Sequence, residues 1–420
     1  MRWVVVRVAK KTGKLAEYPA VGSYDKWCHA GGMTHSSSQD SSPHAVPSGT
    51  SSVSGSGSSG HGGSADTVGA VARGPWWVLD GNCTNGRMVA SRIEATKEDQ
   101  PGTSTPAQLE SIALTVGLEA AELVRTMRAD KADAAGAVHA AATKSSAVDP
   151  VTEVDQASER LIRRRLLEEL PGSTVLGEEE GAGDDQDDSS ADRVMWVVDP
   201  IDGTVNFMYG VPAYAVSIAA TVDGLPVAAA VIDVAHETSY VAHLGGPARK
   251  IIGQTETVLR ISQDAAEATG ATEAAVATDA VDGESAGGSD ADQGSTDALA
   301  TALVATGFAY LAPRREAQAE LLTHVLGKVR DIRRMGSAAL DLCHVASGEV
   351  DAYYEHGLGP WDHAAGVLIA ARAGAMVLMP NLTVQSSEGL QVMAAKPDVF
   401  AGLGQLLDRH TTGGALYPVS

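Results

Sequence analysis

The hexamer Asp199-Pro200-Ile201-Asp202-Gly203-Thr204 carries two carboxylates three residues apart, at the end of the apolar run Val194 to Val198. Inside a regular strand or helix, two acids with a proline and a glycine would be costly. At the end of a strand the same residues make chemical sense. Asp199 and Asp202 can point into one pocket, with a backbone carbonyl between them as a further oxygen donor. The amides of Gly203 and Thr204 can then face an anion, above all where a helix begins. Such an arrangement suits a phosphate ester held by Mg²⁺. The competing interpretation is a strand followed by an Asp-rich turn.

Three further acidic spots extend the hexamer. Glu178 and Glu179 follow Gly177 after the short strand Thr174 to Leu176. Asp362 opens a helix in Trp361-Asp362-His363-Ala364-Ala365-Gly366. Thr152 and Asp155 start another helix in Asp149-Pro150-Val151-Thr152-Glu153-Val154-Asp155. Each spot alone reads as a cap or loop. Together they supply the several oxygens that two or more Mg²⁺ ions need. No Ser-His-Asp or Cys-His nucleophile is required. Cys343, in an Ala-rich helix, reads as a small buried hydrophobe, and His363 as a helix-surface group.

The elements that must position these residues are legible from periodicity. A helix follows the N-cap Thr105 and Pro106, with Leu109, Ile112, Ala113, Val116, Ala120, Leu123, Val124 and Met127 on a 3.6 period. A second runs from Val154 to Leu170. Strands are expected at Val194–Val198, Ala215–Val222, Val227–Val234 and Tyr240–His243. The remainder alternates: a strand over Leu299 to Ala305, helices at Ala317–Leu326 and Ser337–Ala346, a strand at Val350–Tyr354, a helix at Asp362–Ala373, a strand at Val392–Ala395 and a last helix at Pro397–Leu407. Mixed strands and helices in two halves imply a layered α/β or α+β enzyme.

Composition narrows the class. The chain has 420 residues, 44% of them hydrophobic but only 4% aromatic, so a large core must be built from Ala, Val, Leu and Ile. A net charge of −22 argues against nucleic acid or an anionic membrane as partner, and makes a metal the natural cation for a phosphate. Three scattered cysteines form no disulfide framework and fit a reduced, cytoplasmic setting. No apolar run reaches membrane-spanning length. Residues 1–104 read as a low-complexity, flexible extension, Ser-, Gly- and His-rich over 34–66, that also holds four of the six tryptophans. A catalytic domain over 105–410 follows, then a tail over 411–420. Residues 262–298, with nine acids and no Lys or Arg, read as an inserted solvated loop, and Asp184 to Asp188 as a smaller one.

Taken with Lys144-Ser145-Ser146, Asn206-Phe207, Arg334 to Ala338 and Asp351 to Glu355, these motifs resemble the inositol monophosphatase family of Mg²⁺-dependent, lithium-sensitive phosphatases, in its order and spacing, from about residue 106 to 408. The resemblance implies a layered αβαβα sandwich of the sugar-phosphatase type, a homodimer, and two or three Mg²⁺ ions. It implies that Glu178, Asp199 and the carbonyl of Ile201 hold one ion, that Asp199, Asp202 and Asp362 hold a second, and that Glu178 reaches a third. Thr204 and Asp155 would orient and deprotonate the attacking water, with Glu178 counted among the catalytic groups. Gly203 and Thr204 would hold the phosphate. Ser337, Ala338 and Glu355 match substrate-side positions, while Lys144 and Glu179 match supporting ones. The activity implied is hydrolysis of myo-inositol 1-phosphate or a similar polyol phosphate. Histidinol phosphate, fructose 1,6-bisphosphate and adenosine 3′,5′-bisphosphate are alternatives, as is a non-catalytic regulatory protein on the same fold. Arg372 stands where the family usually has an acid, Val205 where a polar residue often follows Gly-Thr, and Pro360 in place of a common Cys; none of these removes a ligand.

Overall fold

The computed structural model describes residues 76–79, 104–134, 136–143, 150–182, 194–261 and 298–416, with backbone alone at 76–79, 142–143 and 150–151. Lys144, the acidic loops at 184–188 and 262–297, and the Ser/Gly-rich leader lie outside the described residues.

Two helices open the chain's main body. Helix α1 (Pro106–Lys131) starts as its sequence dictates: Thr105 accepts from the Gln108 amide, Gln108 returns the bond, and Pro106 takes the first helical position. Helix α2 (Glu153–Glu169) starts the same way from Thr152, with Asp155 as the returning side chain. Both pack on a large sheet. Its strands are β4 (Thr174–Gly177), β5 (Gly181–Ala182), β6 (Met195–Asp202), β7 (Ala215–Val222), β8 (Leu225–Asp233), β9 (Thr238–His243), β10 (Arg249–Ile252) and β11 (Thr255–Val258). They lie in the order β11-β10-β9-β8-β7-β6-β4-β5, with β4 and β6 parallel and every other pair antiparallel.

The second half builds a smaller sheet from β12 (Leu303–Thr306), β13 (Asp331–Arg333), β14 (Ala352–His356), β15 (Met376–Pro380) and β16 (Gln391–Ala395). Strand β1 (Trp76–Leu79) joins it, antiparallel to the edge strand β15, in the order β1-β15-β16-β14-β12-β13. Ordered pairing therefore begins upstream of Thr105, where the sequence pointed to its start. A two-residue ladder, β2 (Ala142–Thr143) with β3 (Pro150–Val151), completes the strands described.

Helices α5 (Ala338–Ser347) and α6 (Pro360–Ala373) fill the space between the sheets, packing on β7 and β8 on one side and on β14 and β16 on the other. Helices α4 (Ala312–Val325) and α7 (Pro397–Asp408) cover the far face of the small sheet. The result is five layers, α-β-α-β-α, as the sequence implied. Strands β7 and β8 are buried along their whole length. That explains why they read as continuous apolar runs rather than as alternating ones.

The expected cores of the strands and helices are present, with shifted ends. The strand expected over 299–305 is confined to Leu303–Thr306. Helix α6 begins two residues earlier than expected, at Pro360, which makes Asp362 its third residue. Strand β10 is short and half-buried with two basic residues, and β11 is exposed, so hydrophobic patterning does not announce them. His363, expected at a surface, is buried between the sheets, where desolvation holds its imidazole down to about 3. Cys343 is buried as expected.

Small residues let the middle layer be thin. A methyl group at Gly366 on α6 would lie 2.7 Å from Leu342 Cβ on α5. That atom is fixed to the helix backbone and cannot swing away. Gly366→Ala should therefore lower stability by about 1–3 kcal/mol through overpacking, despite the better helix propensity of alanine. Thermal denaturation of the variant beside the unsubstituted protein checks this; an unchanged or higher midpoint would contradict the packing described.

Candidate active site

In a strand, residues three apart point to opposite faces. Strand β6 escapes that rule by a bulge. Asp199 pairs with Ser217 and Asp202 with Ala215, so three steps on β6 match two on β7. The extra residue, in a stretch containing Pro200, turns Asp199 and Asp202 to the same side. Asp199 Oδ1 accepts from the Ile201 amide at 3.0 Å, which closes the loop on itself. Gly203 follows with φ +94°, and α3 (Thr204–Tyr209) starts directly after it. A side chain at Gly203 would also meet the Ala213 carbonyl at 2.9 Å, so the turn admits only glycine without strain.

Three more elements converge on this loop. Asp362 reaches it from α6, where its carboxylate accepts from the Gly359 amide at 2.6 Å. Asp199, Asp202 and Asp362 offer oxygens that all lie within 4.8 Å of one another. The second element is α5. Its cap residue Ser337 donates its hydroxyl to Asp202 Oδ2 at 2.5 Å, and the Ala339 amide donates to the same oxygen at 2.7 Å. Ser337 and Ala338, the expected substrate-side residues, are buried, and both bond to Asp202, Ser337 by its hydroxyl and Ala338 by its backbone. The physical reason is that a carboxylate is favoured at a helix N-terminus. The third element is α2. Asp155, fully buried, accepts from the Thr204 hydroxyl at 3.1 Å through Oδ1, and from the Thr152 amide at 2.8 Å through Oδ2. The Thr204 Oγ1 also lies 3.0 Å from the Ile201 carbonyl oxygen. One hydroxyl thus joins the expected water-orienting acid to the expected carbonyl ligand.

Electrostatics set this cluster apart from an ordinary turn. Burial is the first cause that raises the Asp202 carboxyl, to about 6, against the hydrogen bonds from Ser337 and Ala339 that lower it. Asp362 is pushed well above the carboxylate range by burial and then by the charges of Glu178 and Asp202. Glu178 is thus near enough to act on Asp362, though it lies outside the tight group of three. Like charges this close and this dry cannot all ionise without a compensating cation. The donors are all oxygen, the set preferred by hard divalent ions such as Mg²⁺.

A separate wall carries Glu355 on β14. The Tyr353 hydroxyl donates to its Oε2 at 2.8 Å. Burial and the charges of Asp341 and Asp202 push the Glu355 carboxyl up to about 7, while Tyr353 and Arg334 draw it down. Asp341 on α5 is buried beneath this wall, and desolvation raises it to about 6. Sequence reasoning passed over Asp341. It also passed over Ser158, Glu159 and Arg163 of α2. Asp155 and Glu159 lie four apart on one helix face, which was the available signal.

Comparison with known proteins agrees with this geometry. A family model described as the inositol monophosphatase family matches residues 105–411. An inositol-1-monophosphatase of Mycobacterium bovis is 47% identical over 310 residues, covering 72% of this chain and 94% of its own length. One of Mycobacterium leprae is 44% identical over 319 residues, covering 72% and 98%. The solved structure of Mycobacterium tuberculosis SuhB superposes with a TM-score of 0.54 at 45% identity, covering 73% of this chain and 98% of that one. Fold and site therefore define a phosphatase built on a layered α/β sandwich. The chain belongs to the inositol monophosphatase family.

The raised Glu355 carboxyl makes a test of the wall. Its ordinary value is 4.5 and its value in the fold is about 7, so the folded state holds a proton that the unfolded state has released between these limits. That contribution to stability is complete below about pH 4.5 and is lost as pH rises through 7. Glu355→Gln cannot ionise. In EDTA its thermal midpoint should gain on that of the unsubstituted protein as pH goes from 5 to 8. A gap that stays constant with pH would rule out the environment described for Glu355.

Proposed function

We propose that this phosphatase is a Mg²⁺-dependent phosphomonoesterase that acts on myo-inositol 1-phosphate or a closely similar polyol phosphate. The observation that carries the proposal is the set Asp199, Asp202 and Asp362, with oxygens within 4.8 Å of one another, beside the Thr204–Asp155 hydrogen bond. Asp199, Asp202 and Asp362 would hold one ion. Glu178, Asp199 and the Ile201 carbonyl would hold another, with Glu178 reaching a third site. Bound Mg²⁺ supplies Lewis acidity at the phosphate and brings the pKa of water towards neutrality.

The protein's own groups do the rest. Thr204 has its hydroxyl proton directed to Asp155 or Ile201, which leaves a lone pair to accept from a water and fix its orientation. Asp155 is the base, since its Oδ1 already receives the Thr204 hydroxyl and its Oδ2 is anchored by Thr152. The amides of Gly203 and Thr204 orient the phosphate at the start of α3. Glu355 faces the polyol and pairs with its hydroxyls, a task that suits a carboxyl able to either donate or accept near neutrality. The Mycobacterium relatives named inositol-1-monophosphatase support the choice of substrate. A homodimer and inhibition by lithium belong to the same proposal.

The test is phosphate release by the full chain from myo-inositol 1-phosphate, histidinol phosphate, fructose 1,6-bisphosphate and adenosine 3′,5′-bisphosphate, with Mg²⁺ or with EDTA. Release led by inositol phosphate and abolished by EDTA is expected. Asp199→Asn should lower it by at least about a hundredfold, because even groups that only support a metal ligand cost 10–100-fold when lost, while circular dichroism stays unchanged. Release that persists in EDTA would end the metal reading, and release led by another ester would move the substrate.

A further inference from the structure

Glu178 sits in a turn, not on a strand or helix, yet a metal ligand must be held within fractions of an ångström. What fixes that turn is a carboxylate buried beneath it. Glu159, on α2, has no solvent exposure. Its Oε2 accepts from the Glu179 amide at 2.7 Å and its Oε1 from the Glu180 amide at 3.0 Å. These are the two residues that follow Glu178. On the preceding side, a methyl group at Gly177 would lie 2.1 Å from Glu159 Oε1. Only a glycine there allows the backbone to settle onto the carboxylate. Glu178 is therefore gripped from both sides through its main chain.

Arg163, one turn further along α2, completes the clamp. It donates to Glu159 Oε1 at 3.0 Å, to the Val175 carbonyl at 2.9 Å and to the Gly181 carbonyl at 2.9 Å. The guanidinium so ties the beginning and the end of the segment carrying Glu178 to the same helix. A buried carboxylate is costly unless paired and hydrogen-bonded. Here all its partners belong either to the turn or to the arginine that holds the turn.

The same two helical turns also reach the rest of the site. Asp155 takes the Thr204 hydroxyl, and the Ser158 hydroxyl donates to the Pro200 carbonyl at 3.3 Å, inside the Asp199–Asp202 loop. Asp155, Ser158 and Glu159 follow the i, i+3, i+4 spacing of one helix face. That face sets three loops in mutual register.

We propose that Glu159 is a positioning residue for metal binding, acting through Glu178 with Arg163 as its support. The inference rests on the reading of Glu178 as a metal ligand. Glu159→Gln keeps the shape but offers one acceptor oxygen in place of two, and turns an amide NH₂ toward a donor. Glu159→Asp keeps the charge opposite Arg163 but is one methylene short of the Glu179 and Glu180 amides. In the full-length protein, calorimetric titration with Mg²⁺ alone should give a dissociation constant about 10–100-fold higher for either variant. Phosphate release at saturating Mg²⁺ should recover to within about threefold of the unsubstituted rate, since neither variant touches the reacting atoms. Leu166→Val, a core change on the same helix, serves as control and should lower the melting midpoint with no change in Mg²⁺ affinity. Unaltered affinity in either Glu159 variant overturns the proposal, as does an equal loss in Leu166→Val. If the unsubstituted protein itself fails to bind Mg²⁺, the underlying metal reading falls instead.

Discussion

Three carboxylates confined within a few ångströms of each other repel, and with two of them buried and the third partly so, water screens them little. Most of what surrounds the site answers that repulsion. The start of α5 brings a hydroxyl and an amide to Asp202. The Gly359 amide meets Asp362, and the Ile201 amide meets Asp199. These donors moderate the charge without cancelling it, as the raised carboxyls of Asp202 and Asp362 attest. A structure that keeps such residual strain has a built-in preference for a cation. The fold's task is to hold the acids together when the cation is absent.

The layered architecture meets that demand by sharing the acids among separate rigid elements. Asp199 and Asp202 belong to the large sheet, Asp362 to the helix layer between the sheets, and Asp155 to the outer helix layer. The β6 pair, Asp362 and Asp155 are thus anchored in three different pieces of packed core. The wall bearing Glu355 comes from the small sheet, close enough to the β6 loop for the charge of Asp202 to act on it.

Much of this was legible in the chain. The hexamer ending at Thr204 and the capping pattern at Thr152 and Asp155 are local: their meaning depends on neighbours a few residues away, and turn and cap chemistry is encoded at that range. The long helix α1 is equally local, since nine of its residues are buried on a regular stripe. What could not be read depends on neighbours far along the chain. The bulge in β6 exists only relative to β7. Ser337 reads as the first residue of a helix, and its bond to Asp202 is invisible until α5 is docked. His363 reads as a surface residue until α6 is known to lie between two sheets. Strands β10 and β11 are recognised only by their pairing with β9 and each other and by the ion pairs Arg249–Glu110 and Lys250–Glu349, whose partners lie far along the chain.

The wide separation of the acids along the chain has a temporal meaning. Asp155 and Asp199 emerge early in synthesis, whereas Asp362 follows after the long segment that joins the two sheets. A ribosome-bound chain that has completed the large sheet has made the crowded loop of β6 but lacks the helix layer that covers it. The pocket therefore cannot be complete until α5 and α6 are made and docked. A truncated or stalled product would carry every acid of the proposed metal site but Asp362, in a pocket left open to water.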